Sequence, residues 1–383
     1  MKIKVQPEDF KVEEIIDIPI CKSGPYTLLK LQKRYWNTLD IIDFVARRLS
    51  VSKNNFSRAG LKDRYSLSIQ YLSFRGDLTE VVEEENFKLV PVGKISKPIS
   101  PDCLYGNKFS ITLRDVNDDE IRKINTNYPE IVENGVANYF DEQRFGSARH
   151  KQGFFAKFLM RGHYRGALKS LLCYSYKEDS KSLKFFKRVC AENWGNWDKC
   201  LKVAPVETRK ILFFLKNNPN DFRNAIKMID REMLNLYLLA YQSYLFNKIL
   251  FLIIKDYGKD IVEVPYSMGS FLFYRKLRER DFVRGLKIPM LTEKVNASGY
   301  LGKVIRNVLD SEDIQLSDFK LNKMRFRGVR FKNFLRAAII YPEDFIIGEL
   351  EDDEIYRNKK KMLINFTLPP GSYATIIIKR LFL

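Results

Sequence analysis

The sequence predicts an α+β protein of two domains, the second largely helical and inserted into the first. Short stretches near the N-terminus alternate apolar with polar residues, as half-buried strands do. From roughly residue 161 to 340 the pattern changes to long helical stretches joined by short loops, and after it the chain returns to strand-like apolar runs. A length of 383 residues also exceeds what one core usually supports.

In chain order, Phe10, Val12 and Ile15 are set among charged residues and read as an early strand with one wet face, closely preceded by Lys4. Leu28 to Leu31 is a second short strand. Thr38 suits an N-cap for a helix whose Ile41, Ile42, Val45 and Leu49 recur at helical spacing. Next comes Arg58-Ala-Gly-Leu-Lys-Asp-Arg-Tyr-Ser-Leu-Ser-Ile-Gln-Tyr-Leu-Ser-Phe74, where Leu67, Ile69 and Tyr71 alternate with Ser66, Ser68 and Gln70 as a strand. Asp63 therefore sits on a turn at a strand entrance, between Lys62 and Arg64. A carboxylate there can line a cleft, and neighbouring cations would keep it ionised and nucleophilic. The plainer reading is that Asp63 only caps its own turn.

Glu83-Glu84-Glu85 reads as a solvated bend. Gly106-Asn107-Lys108 forms a turn before a strand with Phe109, Ile111 and Leu113 on one face. A helical pattern from Asp118 meets Pro129, which interrupts or restarts it. Asn138-Tyr139-Phe140-Asp141-Glu142-Gln143-Arg144-Phe145-Gly146 interleaves rings with an amide and an arginine. Rings stack on nucleobases while Arg and Asn reach phosphates or base edges; otherwise the same rings fill a core and Arg144 is merely exposed.

In the helical region the most apolar segment, Met233 to Ile254, is broken by Asn235, Gln242, Ser243, Asn247 and Lys248, which makes it a buried helix rather than a membrane span. Gly299-Tyr300-Leu301-Gly302 matches a bare G-x-x-G without the context of an RNA-clamping loop and is discounted. Arg275-Lys276-Leu277-Arg278 and Lys323-Met324-Arg325-Phe326-Arg327 have aromatic neighbours and suit either RNA backbone or solvent. Met362 to Leu368 and Tyr373 to Leu381, separated by Pro369-Pro370-Gly371, read as a final β pair. Glu351-Asp352-Asp353-Glu354 reads as the polar tip of a loop.

Composition narrows the chemistry. With 66 Lys plus Arg against 47 Asp plus Glu the formal charge is +19, a field that favours a polyanion, and nucleic acid over membrane. The N-terminus has no apolar signal region, so a cytoplasmic location is expected. Five scattered cysteines form no C-x-x-C pair, and only His150 and His163 are present, so disulfide frameworks, metal sites and a histidine-centred triad are disfavoured. Carboxylates and amines are left to do the work.

Several of these stretches together carry a resemblance. Pro7-Glu8-Asp9-Phe10, Ala59-Gly60-Leu61-Lys62-Asp63-Arg64 with Gln70, Gly106-Asn107 with Phe109 and Arg114, Asn138-Tyr139-Phe140 with Gln143-Arg144-Phe145-Gly146, Gln242-Ser243-Tyr244-Leu245-Phe246-Asn247 and Leu368-Pro369-Pro370-Gly371-Ser372-Tyr373-Ala374-Thr375 occur in an order that resembles the TruD family of tRNA pseudouridine synthases. The resemblance spans nearly the whole chain. It implies a mixed, mainly antiparallel sheet in a catalytic domain of pseudouridine synthase type (1–160 plus 341–383) with an inserted, largely helical α/β domain (161–340). By the same resemblance Asp63 is the catalytic aspartate, Lys4 the lysine that pairs with it, Phe140 the ring that stacks on the target uracil and Asn138 its accompanying amide; Arg144 belongs to the substrate-binding stretch. Asp141, Tyr65-Ser66-Leu67-Ser68 and Arg380 depart from the family pattern.

The implied reaction breaks the C1′–N1 bond of a uridine, turns the uracil and joins C1′ to C5, with no redox change and no group donor. No cofactor is therefore expected, and none of the usual nucleotide-binding motifs is present. The expected partner is tRNA, and the resemblance points to uridine 13. Two alternatives remain at this stage: a non-catalytic tRNA-binding protein or RNA chaperone, which would bind without changing uridine content, and a metal-dependent nuclease, which would cleave in a chelator-sensitive way.

Overall fold

The alternation read in the early segments becomes sheet. Strands β1 (Phe10–Ile16), β2 (Tyr26–Lys33), β3 (Phe56–Arg58), β4 (Leu67–Arg75), β5 (Val82–Glu84), β6 (Phe87–Ile95) and β7 (Leu104–Val116) join Glu343–Asp352 and Lys360–Leu368 in one nine-stranded sheet. Its order runs Glu343–Asp352, Lys360–Leu368, β7, β1, β4, β2, β6, β5, with β3 on β4. Every pairing is antiparallel except β1 with β4, where Lys11 lies beside Leu67 and Val12 beside Ser68. This is the mixed, mainly antiparallel sheet expected. The parallel pair sets β1 and β4 pointing the same way, so the segments entering them lie at the same end of the strands.

Helix α1 (Thr38–Arg48), whose N-cap is Asn37 rather than Thr38, buries Ile41, Ile42, Val45 and Ala46 against Leu29, Leu31, Leu72, Phe74 and Leu89 of the sheet. Each such aliphatic side chain removed from water contributes about 1.5–3 kcal/mol. Helix α2 (Asp118–Asn134) starts in a capping box of Asn117 and Glu120 and runs unbroken through Pro129, against the expected interruption.

The computed structural model describes all residues except 147–152, 177–178 and 322–327. They divide into two compact units, Met1–Val136 with Ile340–Leu383, and Ala137–Ile339. The first crossing therefore precedes the 160/161 division drawn from sequence. The reason is local: the backbone of Phe140 is bonded in both directions by Asn247, and Leu272 N donates to the Tyr139 hydroxyl at 3.3 Å, which ties this stretch to the second unit.

Two readings of the C-terminal region are corrected. The run Tyr373 to Leu381 is not a strand; Ala374–Leu381 is a helix. Its β-branched residues favour strand by propensity, but the helix is held to α2 by Arg380, which bonds Asn127 Oδ1 at 2.9 Å and Glu130 at 2.5 Å, while Asn127 donates to the Leu381 carbonyl at 3.0 Å. Nor is Glu351–Glu354 only a polar tip. Asp353 is buried and accepts from Arg114 Nη1 at 3.0 Å and from three backbone N–H groups. The Arg114 and Lys361 cations beside Glu354 pull its carboxyl down to about 2.

The second unit is mostly helical, with short two-stranded ladders such as Val262–Tyr266 on Gly269–Phe273. Its helix Arg231–Tyr257 is long and apolar enough to cross a membrane by composition, but 72% of its most apolar window is buried within the protein. Gly299-Tyr300-Leu301-Gly302 forms the first turn of helix Gly299–Glu312. The cluster Lys323–Arg327 lies outside the described residues, and of Arg275–Arg278 the middle pair forms a ladder with Gly258–Lys259.

Candidate active site

Lys4 precedes the Pro7–Asp9 turn that leads into β1 and Asp63 precedes β4, so the parallel pairing brings them to the same end of these two strands. There Lys4 Nζ lies 2.5 Å from Asp63 Oδ2, each side chain about a quarter exposed. Asp63 Oδ1 accepts from Tyr65 N at 3.2 Å, so the carboxylate caps its own turn and also holds an outside cation. The cap expected of this turn is present, and the cation that pairs with the carboxylate is Lys4 rather than a sequence neighbour.

Lys4 is held in the left-handed region, φ 56°. That conformation costs a non-glycine residue about 1–3 kcal/mol and persists only where neighbours enforce it. On one side Lys2 exchanges both backbone bonds with Arg114. On the other, Gln6 N donates to Asp9, whose carboxylate accepts from the buried Arg114 Nε at 2.8 Å. The Pro7–Asp9 turn and Arg114 thereby aim Lys4, whose ammonium also lies 4.4 Å from the Phe10 ring centroid.

The cations flanking Asp63 in sequence hold other partners. Lys62 Nζ pairs with the buried Glu14 at 2.9 Å and donates to Asn107 Oδ1 at 2.7 Å, while Arg64 Nε donates to the Tyr35 carbonyl at 2.7 Å. Glu14 in turn accepts from Tyr71 N in β4. Besides Lys4, Lys33 at the end of β2 also meets Asp63. It is 1% exposed and donates from Nζ to the Asp63 main-chain carbonyl at 2.8 Å. Burial pulls its ammonium down to about 8, against the attraction of Asp63 and together with the repulsion of Lys62.

The other predicted residues cluster in the second unit. Asn138 is buried, donates to the Ala337 carbonyl at 3.0 Å and accepts at Oδ1 from Arg336 Nη2 at 2.5 Å. Arg336, itself buried, also bonds the Asn138 carbonyl through Nε and Nη2. Phe140 is 3% exposed, meets Phe246 edge-on at 5.3 Å, and has the Arg336 guanidinium 4.1 Å and that of Arg144 5.7 Å from its ring centroid. Asn247 donates to the Phe140 carbonyl at 2.8 Å and accepts from its N–H at 2.9 Å. Arg144 is half-buried.

Sequence reasoning missed Lys33, Glu14 and Arg336. Arg336 had a usable signal, an arginine within the otherwise apolar Leu335–Ile340. Lys33 and Glu14 had none, since charged residues near strand ends are ordinarily solvated. Among the described residues no cluster of three or more His, Cys, Asp or Glu could hold a metal ion.

The model of the family tRNA pseudouridine synthase D (TruD) matches residues 1–264 and 276–381. A Methanococcus maripaludis protein named "Probable tRNA pseudouridine synthase D 1" is 36% identical over 398 residues, covering 100% of this chain and 99% of its own. The tRNA pseudouridine synthase D of Aquifex aeolicus is 29% identical, covering 100% of this chain and 98% of its own. The crystal structure of the Methanosarcina mazei TruD protein superposes with a TM-score of 0.70 at 23% identity, covering 99% of this chain and 93% of that one, and is a likeness of fold.

Proposed function

The chain belongs to the TruD family of tRNA pseudouridine synthases, and from that premise we propose that it converts uridine 13 of tRNA to pseudouridine with Asp63 as the reacting carboxylate. The observation that carries the reading is the Lys4–Asp63 pair: an accessible carboxylate, fixed by its own turn and partnered by a lysine held in a strained conformation. The isomerisation needs a nucleophile or base at the ribose or uracil and nothing that carries electrons or groups, which a positioned carboxylate supplies. The Lys4 ammonium holds a positive charge beside the carboxylate while the uracil is free of its glycosidic bond.

To reach Asp63 the uridine must leave its stack, at a cost of a few kcal/mol. Phe140, with Asn138 and Arg144 beside it, supplies the ring and polar groups that offset this, stacking being worth about 1–3 kcal/mol per base. The ring is now nearly covered, so base binding there requires a local opening around Arg336. The net charge of +19 favours tRNA as the polyanion.

The test is position-resolved mapping of pseudouridine after incubation with unmodified tRNA transcripts. Conversion at uridine 13, abolished when that base is changed to cytidine, is expected. Binding without any conversion would favour a tRNA-binding protein or chaperone, and conversion elsewhere would overturn the assignment of position.

A further inference from the structure

Beside Asp63, the Lys33 ammonium has no part in the chemistry just described. Lys33 closes β2 with its ammonium buried, and it spends that charge on a carbonyl, the main-chain oxygen of Asp63 itself. Burial of an ammonium is costly, and a methionine of similar length would avoid that cost. The charged groups that act on it are Asp63, which attracts it, and Lys62, which repels it. Fold stability alone gives no reason for a cation at this place.

The geometry does give one. The carboxylate of Asp63 is held by Lys4 and by Tyr65 N, and its peptide carbonyl by Lys33 and by Ser66 Oγ at 3.1 Å. The residue is thus gripped at both ends, and Lys33 makes the charged contact on the main-chain end. Bonds with an ionised donor are roughly twice as strong as neutral ones. We propose that Lys33 is a positioning residue for the isomerisation: its ammonium locks the peptide plane of the Asp63 turn and so holds the carboxylate at the angle its chemistry requires. This rests on the reading of Asp63 as the reacting carboxylate. Without the lock the plane can rotate, and a displacement of about 1 Å at a reacting group can cost about 10²-fold in rate.

The test compares Lys33→Met and Lys33→Gln with the unmodified protein in single-turnover rate at saturating protein, in tRNA dissociation constant and in thermal midpoint, with Asp63→Asn assayed beside them. Lys33→Met is expected to lose about 10- to 100-fold in rate at unchanged tRNA affinity and with no loss of thermal midpoint. Lys33→Gln, which restores a neutral donor, should fall between the two. Should Lys33→Met fold poorly, Lys33→Gln decides: a slowed reaction at unchanged affinity supports the proposal. A rate within twofold of the unmodified protein, or a rate that falls only in step with affinity and thermal midpoint, overturns it. If Asp63→Asn is inactive and the Lys33 variants are normal, the positioning role alone fails. If Asp63→Asn is active, the reading of Asp63 fails and this one with it.

Discussion

The turn that carries Asp63 and the segment that carries Phe140 are built in opposite ways. Asp63 keeps 23% of its side chain in solvent and is gripped by two lysines, Lys4 on the carboxylate and Lys33 on the carbonyl. Phe140 is buried, its backbone held by the neutral amide of Asn247 and its ring overlaid by Arg336. The difference fits the two tasks proposed for them. A reacting carboxylate gains from arriving at its final position before the substrate does, because reorganisation during the reaction is costly. A stacking ring has to exchange one neighbour for another, and a guanidinium over its face is a neighbour that a base can replace.

That contrast can be broken from either side. The larger effect is expected at the ring. Phe140→Ala should lower the single-turnover rate roughly 5- to 150-fold, the equivalent of about 1–3 kcal/mol of stacking, whereas Phe140→Tyr should keep most of it. Equal losses in both variants, measured with folding checked by circular dichroism, would make Phe140 a packing residue and remove the contrast.

A smaller effect sharpens the other side. The Lys33 ammonium is lowered to about 8 in the folded protein from 10.5. Between these values the unfolded chain binds the more protons, so this residue's penalty on stability is full below pH 8 and relaxes as pH rises toward 10.5. From pH 7 to 9 the gain is about 1 kcal/mol. Urea denaturation at the two pH values should show it as a difference between the unmodified protein and Lys33→Met, and an identical pH response in both would mean that Lys33 is not buried as a charge.

Much of the first unit was legible. Alternation at Phe10–Val12, at Leu67–Tyr71 and at Phe109–Leu113 marked β1, β4 and β7; in β1 and β7 these apolar side chains lie on the buried face, whereas in β4 Ser68 and Gln70 are fully buried and Leu67 and Tyr71 only half-buried, so the face read as polar lies inside. The parallel pairing of β1 with β4 was not, since side-chain alternation carries no strand direction, and it is this pairing that brings Lys4 to Asp63. The helix Ala374–Leu381 was misread for a related reason: Ile376-Ile377-Ile378 has strand propensity, and only docking on Asn127 and Glu130 of α2, far away in sequence, overrides it. Asp63 and Phe140 were assigned through the family resemblance, the turn of the one and the neighbouring rings of the other each leaving a plainer reading open. The grip of Lys33 and the cover of Arg336 are tertiary facts, visible only once the chain is folded.

The most direct test of the account is Asp63→Asn, followed on one preparation in two ways: tRNA dissociation constant and pseudouridine formed in a single turnover. The amide keeps the shape of the turn but can act as neither nucleophile nor base. Affinity within a few-fold of the unmodified protein, with no pseudouridine formed, is the predicted result. Appreciable pseudouridine from this variant would contradict the assignment of the chemistry to Asp63.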